Sequence, residues 1–166
     1  MARTAVNPKV LTTPSPAGLT LKKVLAADSK TWKAGEFGEL SSGTVQPVAS
    51  ASATASYCIF AEDQTTSTST SYVWVYLLED GTELEMYVYN NSQVYAIATS
   101  NIGTRYGVQT VSNITYLDLN QTTGQFQVIE LASAYMPERS TYDGGLNGTT
   151  GTTAGLCKVK FRKNVS

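Results

Sequence analysis

The chain has 166 residues, with 12 Lys+Arg against 13 Asp+Glu, 13 glycines, no histidine and 15% charged residues. That length can bury a hydrophobic core without a metal or disulfide framework. The missing histidine removes the commonest general base and metal ligand, and with them the Ser-His and Cys-His nucleophile pairs. A net charge of -1 argues against nucleic-acid binding, which calls for a basic surface that displaces phosphate counterions.

Residues 1–20 carry Pro8, Pro14 and Pro16 and show no apolar periodicity. They read as an extended N-terminal arm, with Arg3, Asn7, Pro8, Lys9, Pro14 and Pro16 as its candidate contact residues. The arm is either an unordered tail or a segment laid over a neighbouring subunit. No apolar segment follows Arg3, so no secretory signal is expected and the chain is expected to be made in the cytosol. Cys58 and Cys157 are then expected as two buried thiols rather than a bridge.

Residues 21–166 read as one all-β domain, an antiparallel sandwich or barrel, because short β-branched and aromatic runs alternate with turn residues. The expected strands are 21–27, 35–41, 44–49, 54–62, 71–79, 82–89, 93–98, 105–111, 114–118, 125–132 and 156–163. No period of 20 to 50 residues is visible, which argues against a solenoid or propeller. Asp80-Gly81 between two alternating runs predicts a two-residue hairpin. In that register Tyr72 faces Tyr89 and Trp74 faces Tyr87, so Tyr72, Trp74, Tyr76, Tyr87 and Tyr89 form one aromatic face that grades into Glu83 and Glu85. Such a face is either covered by another layer or makes contacts.

Further reversals are expected at Ser41-Ser42-Gly43, at Ser112-Asn113 and at residues 120–124, giving a meandering sheet. Residues 143–155 hold five glycines and read as a long Gly-rich C-terminal loop, mobile unless a partner orders it. Residues 156–163 alternate apolar with basic and read as an edge strand whose lysines block unwanted pairing.

Catalytic and cofactor chemistry finds little support. Glu83 and Glu85 have a separation compatible with a glycosidase pair, but a flat strand end offers no cleft and nothing to raise one pKa. The glycine loop has no following Lys-Ser/Thr, no Gly-x-Gly-x-x-Gly occurs, and Tyr57-Cys58-Ile59-Phe60 suits an inert thiol. No catalytic residue, metal, cofactor, nucleic acid or membrane is expected; the longest apolar runs fall well short of the roughly 20 residues a helical span needs. Exposed aromatics would also suit stacking on sugar rings.

Three stretches point to a family. They are Ala27-Asp28-Ser29-Lys30-Thr31-Trp32-Lys33-Ala34-Gly35-Glu36-Phe37-Gly38-Glu39-Leu40, Ile59-Phe60-Ala61-Glu62-Asp63-Gln64 with its Ser/Thr tail, and Ile102-Gly103-Thr104-Arg105-Tyr106-Gly107-Val108 leading to Tyr116-Leu117-Asp118-Leu119 and Phe126-Gln127-Val128-Ile129-Glu130-Leu131. Together, over roughly residues 21–132, they resemble the small β-rich decoration, or cement, proteins on the heads of tailed bacteriophages. The resemblance implies a structural virion protein on the outer capsid surface. It implies a homo-oligomer, commonly a trimer, bound to the major capsid protein and stabilising contacts between its subunits, with no catalytic residues. The alternative is a carbohydrate- or receptor-binding β-module of a phage head or tail fibre.

Overall fold

The computed structural model describes residues 5–48, 56–68, 70–90, 93–94, 96–140, 145–149 and 154–163. The chain enters along β1 (Lys9–Thr12) and then builds a closed barrel from β2 (Leu21–Ala26), β3 (Phe37–Ser41), β4 (Thr44–Pro47), β5 (Ser56–Phe60) and β6 (Tyr72–Leu77). Around this ring the order is β2-β4-β3-β5-β6, with β2 and β4 parallel and every other pair antiparallel.

Beyond it come β7 (Glu83–Asn90), β8 (Gln93–Val94), β9 (Arg105–Val111), β10 (Ile114–Asp118), β11 (Phe126–Leu131), the single-turn helix α1 (Ala132–Tyr135) and β12 (Leu156–Phe161). Their order is β7-β10-β9-β11-β12, and β12 returns to β7, so a second ring closes; β1 and β8 attach to β7. Here too the first and third ring strands, β7 and β10, are parallel and the remaining pairs antiparallel. The molecule is therefore nearly all β, as expected, and it consists of one ring topology used twice.

The correspondence reaches individual residues. Phe37 opposite Ile59 and Gly38 opposite Cys58 are matched by Arg105 opposite Gln127 and Tyr106 opposite Phe126, a constant displacement of 68 positions, from 37 to 105 and from 59 to 127. At the same displacement, Gly35 N–H donates to the Phe60 carbonyl and Phe60 N–H to Glu36, at 2.8 and 3.0 Å, just as Gly103 donates to Val128 and Val128 to Thr104, at 2.8 and 3.0 Å. Gly35 and Gly103 share φ values of 89° and 88°, where a side chain would strain the backbone. Apart from Gly35 and Gly103 the matched residues differ in type, so the repeat lives in backbone conformation, and it is longer than the 20 to 50 residues typical of solenoid and propeller repeats.

Two of the expected hairpins form. Ser42-Gly43 joins β3 to β4 and Ser112-Asn113 joins β9 to β10, each with positive φ at both loop residues, as a type I′ turn requires. The Asp80-Gly81 hairpin does not form: β6 pairs with β2 and β5, while β7 pairs with β1, β8, β10 and β12. Only Gly81 has positive φ, and a turn closed by Thr82 N–H on the Glu79 carbonyl at 3.0 Å links the two rings. The end of β12 captures this turn. Gly81 N–H donates to Phe161 at 2.8 Å and the Asp80 carboxylate accepts from Lys163 N–H at 2.7 Å.

The last strand is also not an edge. β12 lies between β7 and β11, and its lysines pair across the sheet instead of guarding an edge. Residues 119–125 reverse the chain, but β10 and β11 are not neighbours; β9 lies between them. The chain crosses the end of β9 there, with Gly107 N–H donating to the Gln121 carbonyl at 2.7 Å. A Cβ on Gly124 would overlap the backbone of Tyr106 and Gly107.

Alternation along the strands sends Val24, Val45, Cys58, Phe60, Val73 and Val75 into the first ring, where Trp32 stacks on Phe60 at 4.2 Å. Leu84, Met86, Val88, Val108, Leu117, Val128 and Val159 fill the second. The outer side of β3 and β5 presents Phe37 and Tyr57 to Phe126 and Phe161, with Tyr57 edge-on to both at 5.2 and 6.0 Å. Both rings thus share one aromatic seam, buried as tightly as either interior.

Candidate functional site

In β6, inward Val73 and Val75 force Tyr72, Trp74 and Tyr76 outward by the two-residue period of a strand. Across the sheet, β2 sets Leu21 beside Tyr76 and Lys23 beside Trp74. Tyr72, Trp74, Tyr76 and Leu21 are 59%, 41%, 39% and 47% exposed, which makes this the principal apolar patch of the described surface. The Lys23 ammonium lies 5.8 Å from the ring centres of both Tyr72 and Trp74, a cation–π arrangement that holds a charge among the rings. The strand beneath is anchored: Trp74 N–H donates to the Glu62 carboxylate and its carbonyl accepts from Ala61 N–H, both at 3.0 Å.

Tyr87 and Tyr89, expected on the same face, lie on β7 in the other ring. Tyr87 is half-buried against the cluster of Ala132, Leu146 and Leu156, and Tyr89 lies 5.1 Å from Tyr116. The five-residue aromatic face is thus split, because the hairpin that would have joined it is absent. Leu21 and Lys23 complete the face instead. Neither was legible as a site residue, since the sequence does not say which strand neighbours β6.

The second ring carries the counterpart of this face. Leu21 beside Tyr76 and Lys23 beside Trp74 correspond to Glu83 beside Lys160 and Glu85 beside Lys158. There the chain covers itself. Lys160 pairs with Glu83 at 3.1 Å, Lys158 with Glu130 at 2.9 Å, and the Tyr135 hydroxyl of α1 donates to Glu85 at 2.9 Å. The Lys158 ammonium also lies 4.9 Å from the Tyr135 ring. Burial, then the hydrogen bond to Glu85, pushes the Tyr135 hydroxyl pKa up. Glu83 and Glu85 are each engaged with a structural partner.

Cys58 and Cys157 are buried free thiols, one in each ring. Burial pushes the Cys58 thiol up to about 12 and raises that of Cys157 as well, so neither is an activated nucleophile. Part of the glycine-rich excursion is packed: Leu146 is fully buried, its carbonyl accepts from Leu156 N–H at 2.9 Å, and that of Asn147 accepts from Ile97 N–H at 2.8 Å. Residues 143, 144 and 150–153 of that loop lie outside the described residues.

The arm is tied to its own chain. Asn7 donates to the Asn113 carbonyl and accepts from Thr115 N–H, each at 3.0 Å; Pro8 is buried and Lys9 opens β1 opposite Glu85. Pro14 and Pro16 are exposed, and Arg3 lies outside the described residues. Among the described residues no cluster of three His, Cys, Asp or Glu is placed to hold a metal ion. Among the described residues no helix is long and apolar enough to cross a membrane. No protein-family model, curated protein or solved structure matches the chain.

Proposed function

We propose that this chain is a structural binding protein, a capsid decoration protein of a tailed-phage head, that attaches to the major capsid protein through the outward face of its first ring. The observation that carries this reading is the bare row Tyr72, Trp74 and Tyr76 on an anchored strand, where the second ring engages its matching positions with α1 and with the Lys160–Glu83 ion pair. Large exposed aromatics on a stiff strand lose little entropy when covered. An oligomer, a trimer in this reading, would multiply such contacts over a shell lattice and turn weak single attachments into tight binding.

The two tryptophans make the reading testable. Trp32 is buried and Trp74 exposed, so acrylamide quenching of fluorescence reports on the face alone. Binding to expanded empty heads is expected to protect Trp74 from quenching, and Trp74→Ala with Tyr76→Ala is expected to abolish co-sedimentation with heads. A double variant that still sediments at parental levels would refute the assignment of the face.

The exposure of Trp74 also supports a second reading, a carbohydrate-binding module, since an indole available to solvent can stack on a pyranose ring. Under that reading, soluble glycans quench or shift Trp74 emission and heads do not.

A further inference from the structure

In the second ring, the side of β7 facing away from β12 carries β1, paired antiparallel with Lys9 opposite Glu85, Val10 opposite Leu84 and Thr12 opposite Glu83. The register that equates Leu21 with Glu83 and Lys23 with Glu85 places the counterpart of this edge along residues 21–23 of β2. There β4 joins β2 only at Leu25 and Ala26. Among the described residues no strand pairs with positions 21–23 on the side away from β6. Such an edge presents backbone donors and acceptors to any extended chain that fits.

Charge selects what fits. Leu21, Lys22 and Lys23 are all exposed, so a basic residue, Lys23, stands on β2 at the register position that the acidic Glu85 occupies opposite Lys9 on β7. We propose that this edge takes an extended acidic segment of a partner protein as an added strand, antiparallel to β2, with a carboxylate opposite Lys23. Its outward side chains then lie next to Leu21 and Lys23, which separate them from Tyr76 and Trp74 of β6 by the width of one strand. A second copy of this chain is a poor occupant, because its own strand for such a place carries Lys9, and like charges directly opposite repel. The inference deepens the reading of the first-ring face as a contact surface and rests on it.

The probe is a synthetic peptide of residues 7–14, in its own sequence and with Lys9→Glu, titrated into the isotopically labelled full chain. The Lys9→Glu peptide is expected to shift and slow the exchange of amides within residues 21–24. It is expected to bind about three-fold more tightly than the unaltered peptide, the size of one cross-strand charge pair. Lys23→Glu, at an exposed position, is expected to reverse that preference. Binding with no preference, binding that leaves residues 21–24 unchanged, or no binding up to millimolar peptide would overturn the proposal. So would protection of the edge by self-association without peptide. Head sedimentation is scored separately: if heads bind but neither peptide does, the edge inference fails and the contact face stands.

Discussion

Truncating Tyr57 tests whether the two rings unfold as one body. Its side chain is 1% exposed and stands edge-on to Phe126 and Phe161 at 5.2 and 6.0 Å, so Tyr57→Ala opens a cavity in the seam and deletes two aromatic contacts. Comparable truncations cost about 3–5 kcal/mol, a large part of the roughly 5–15 kcal/mol that holds a domain together. With a urea slope of about 2 kcal/mol/M, the midpoint falls by about 2 M. The chain carries its own reporters, because Cys58 is buried in the first ring and Cys157 in the second. Thiol labelling across a urea series, read by mass spectrometry on the two cysteine peptides, gives a midpoint for each ring. Both midpoints are expected to coincide in the parent and to fall together in Tyr57→Ala. A variant in which Cys58 becomes reactive well before Cys157 would refute a shared seam as the source of cooperativity.

Gly124→Ala is expected to destabilise by more than about 3 kcal/mol, because overpacking and the loss of a buried hydrogen bond both contribute; its Cβ would overlap the backbone of Tyr106 and Gly107. Gly43→Ala, with positive φ but open space around the added atom, is the control and is expected to cost only about 1–2 kcal/mol in the same urea titration. Two carboxylates give opposite pH signatures. Burial raises the Glu36 pKa, so the folded state favours its protonated form and stability declines as pH rises from about 4.3 through the raised value. Glu36→Gln is therefore expected to melt higher than the parent at pH 7, with the difference gone below pH 4. Asp63 is held below its usual range by the Ala34 N–H and then by Lys33, so its contribution is present above about pH 3.9 and lost as pH falls through the lowered value. Asp63→Asn is expected to lower the melting temperature at neutral pH, and the gap should close in acid. Trp74→Ala is expected to change stability by no more than about 0.5 kcal/mol, as for most exposed positions, which calorimetry checks alongside the head-binding assay.

Local chemistry was legible in the sequence and long-range pairing was not. Val73 and Val75, then Leu84, Met86 and Val88, alternate with the aromatic and acidic residues read as one face, which leaves these five to turn inward, and all five are buried. Ser42-Gly43 and Ser112-Asn113 announced their turns because a two-residue reversal needs residues that tolerate positive φ. Asp80-Gly81 carried the same signal, yet a turn says only that the chain bends. Which strands then pair depends on the hydrophobic faces and strand ends available, and β12, 75 positions beyond Gly81 at its start, Leu156, claimed this one. Its lysines looked like edge guards because Glu83 and Glu130, their partners, are remote in sequence. Trp74 and Tyr76 of the candidate face were visible; Leu21 and Lys23 became part of it only through the β2–β6 register.

The doubled ring also bears on how such a protein can change. In the second ring the outward positions of β7 and β12 are locked by ion pairs and by Tyr135, so substitutions there carry a folding penalty. The matching positions of the first ring rest on an already closed barrel, and their side chains are exposed. Variation at Tyr72, Trp74 and Tyr76 is therefore largely decoupled from stability, and selection can retune what this face binds while the duplicate keeps the fold intact.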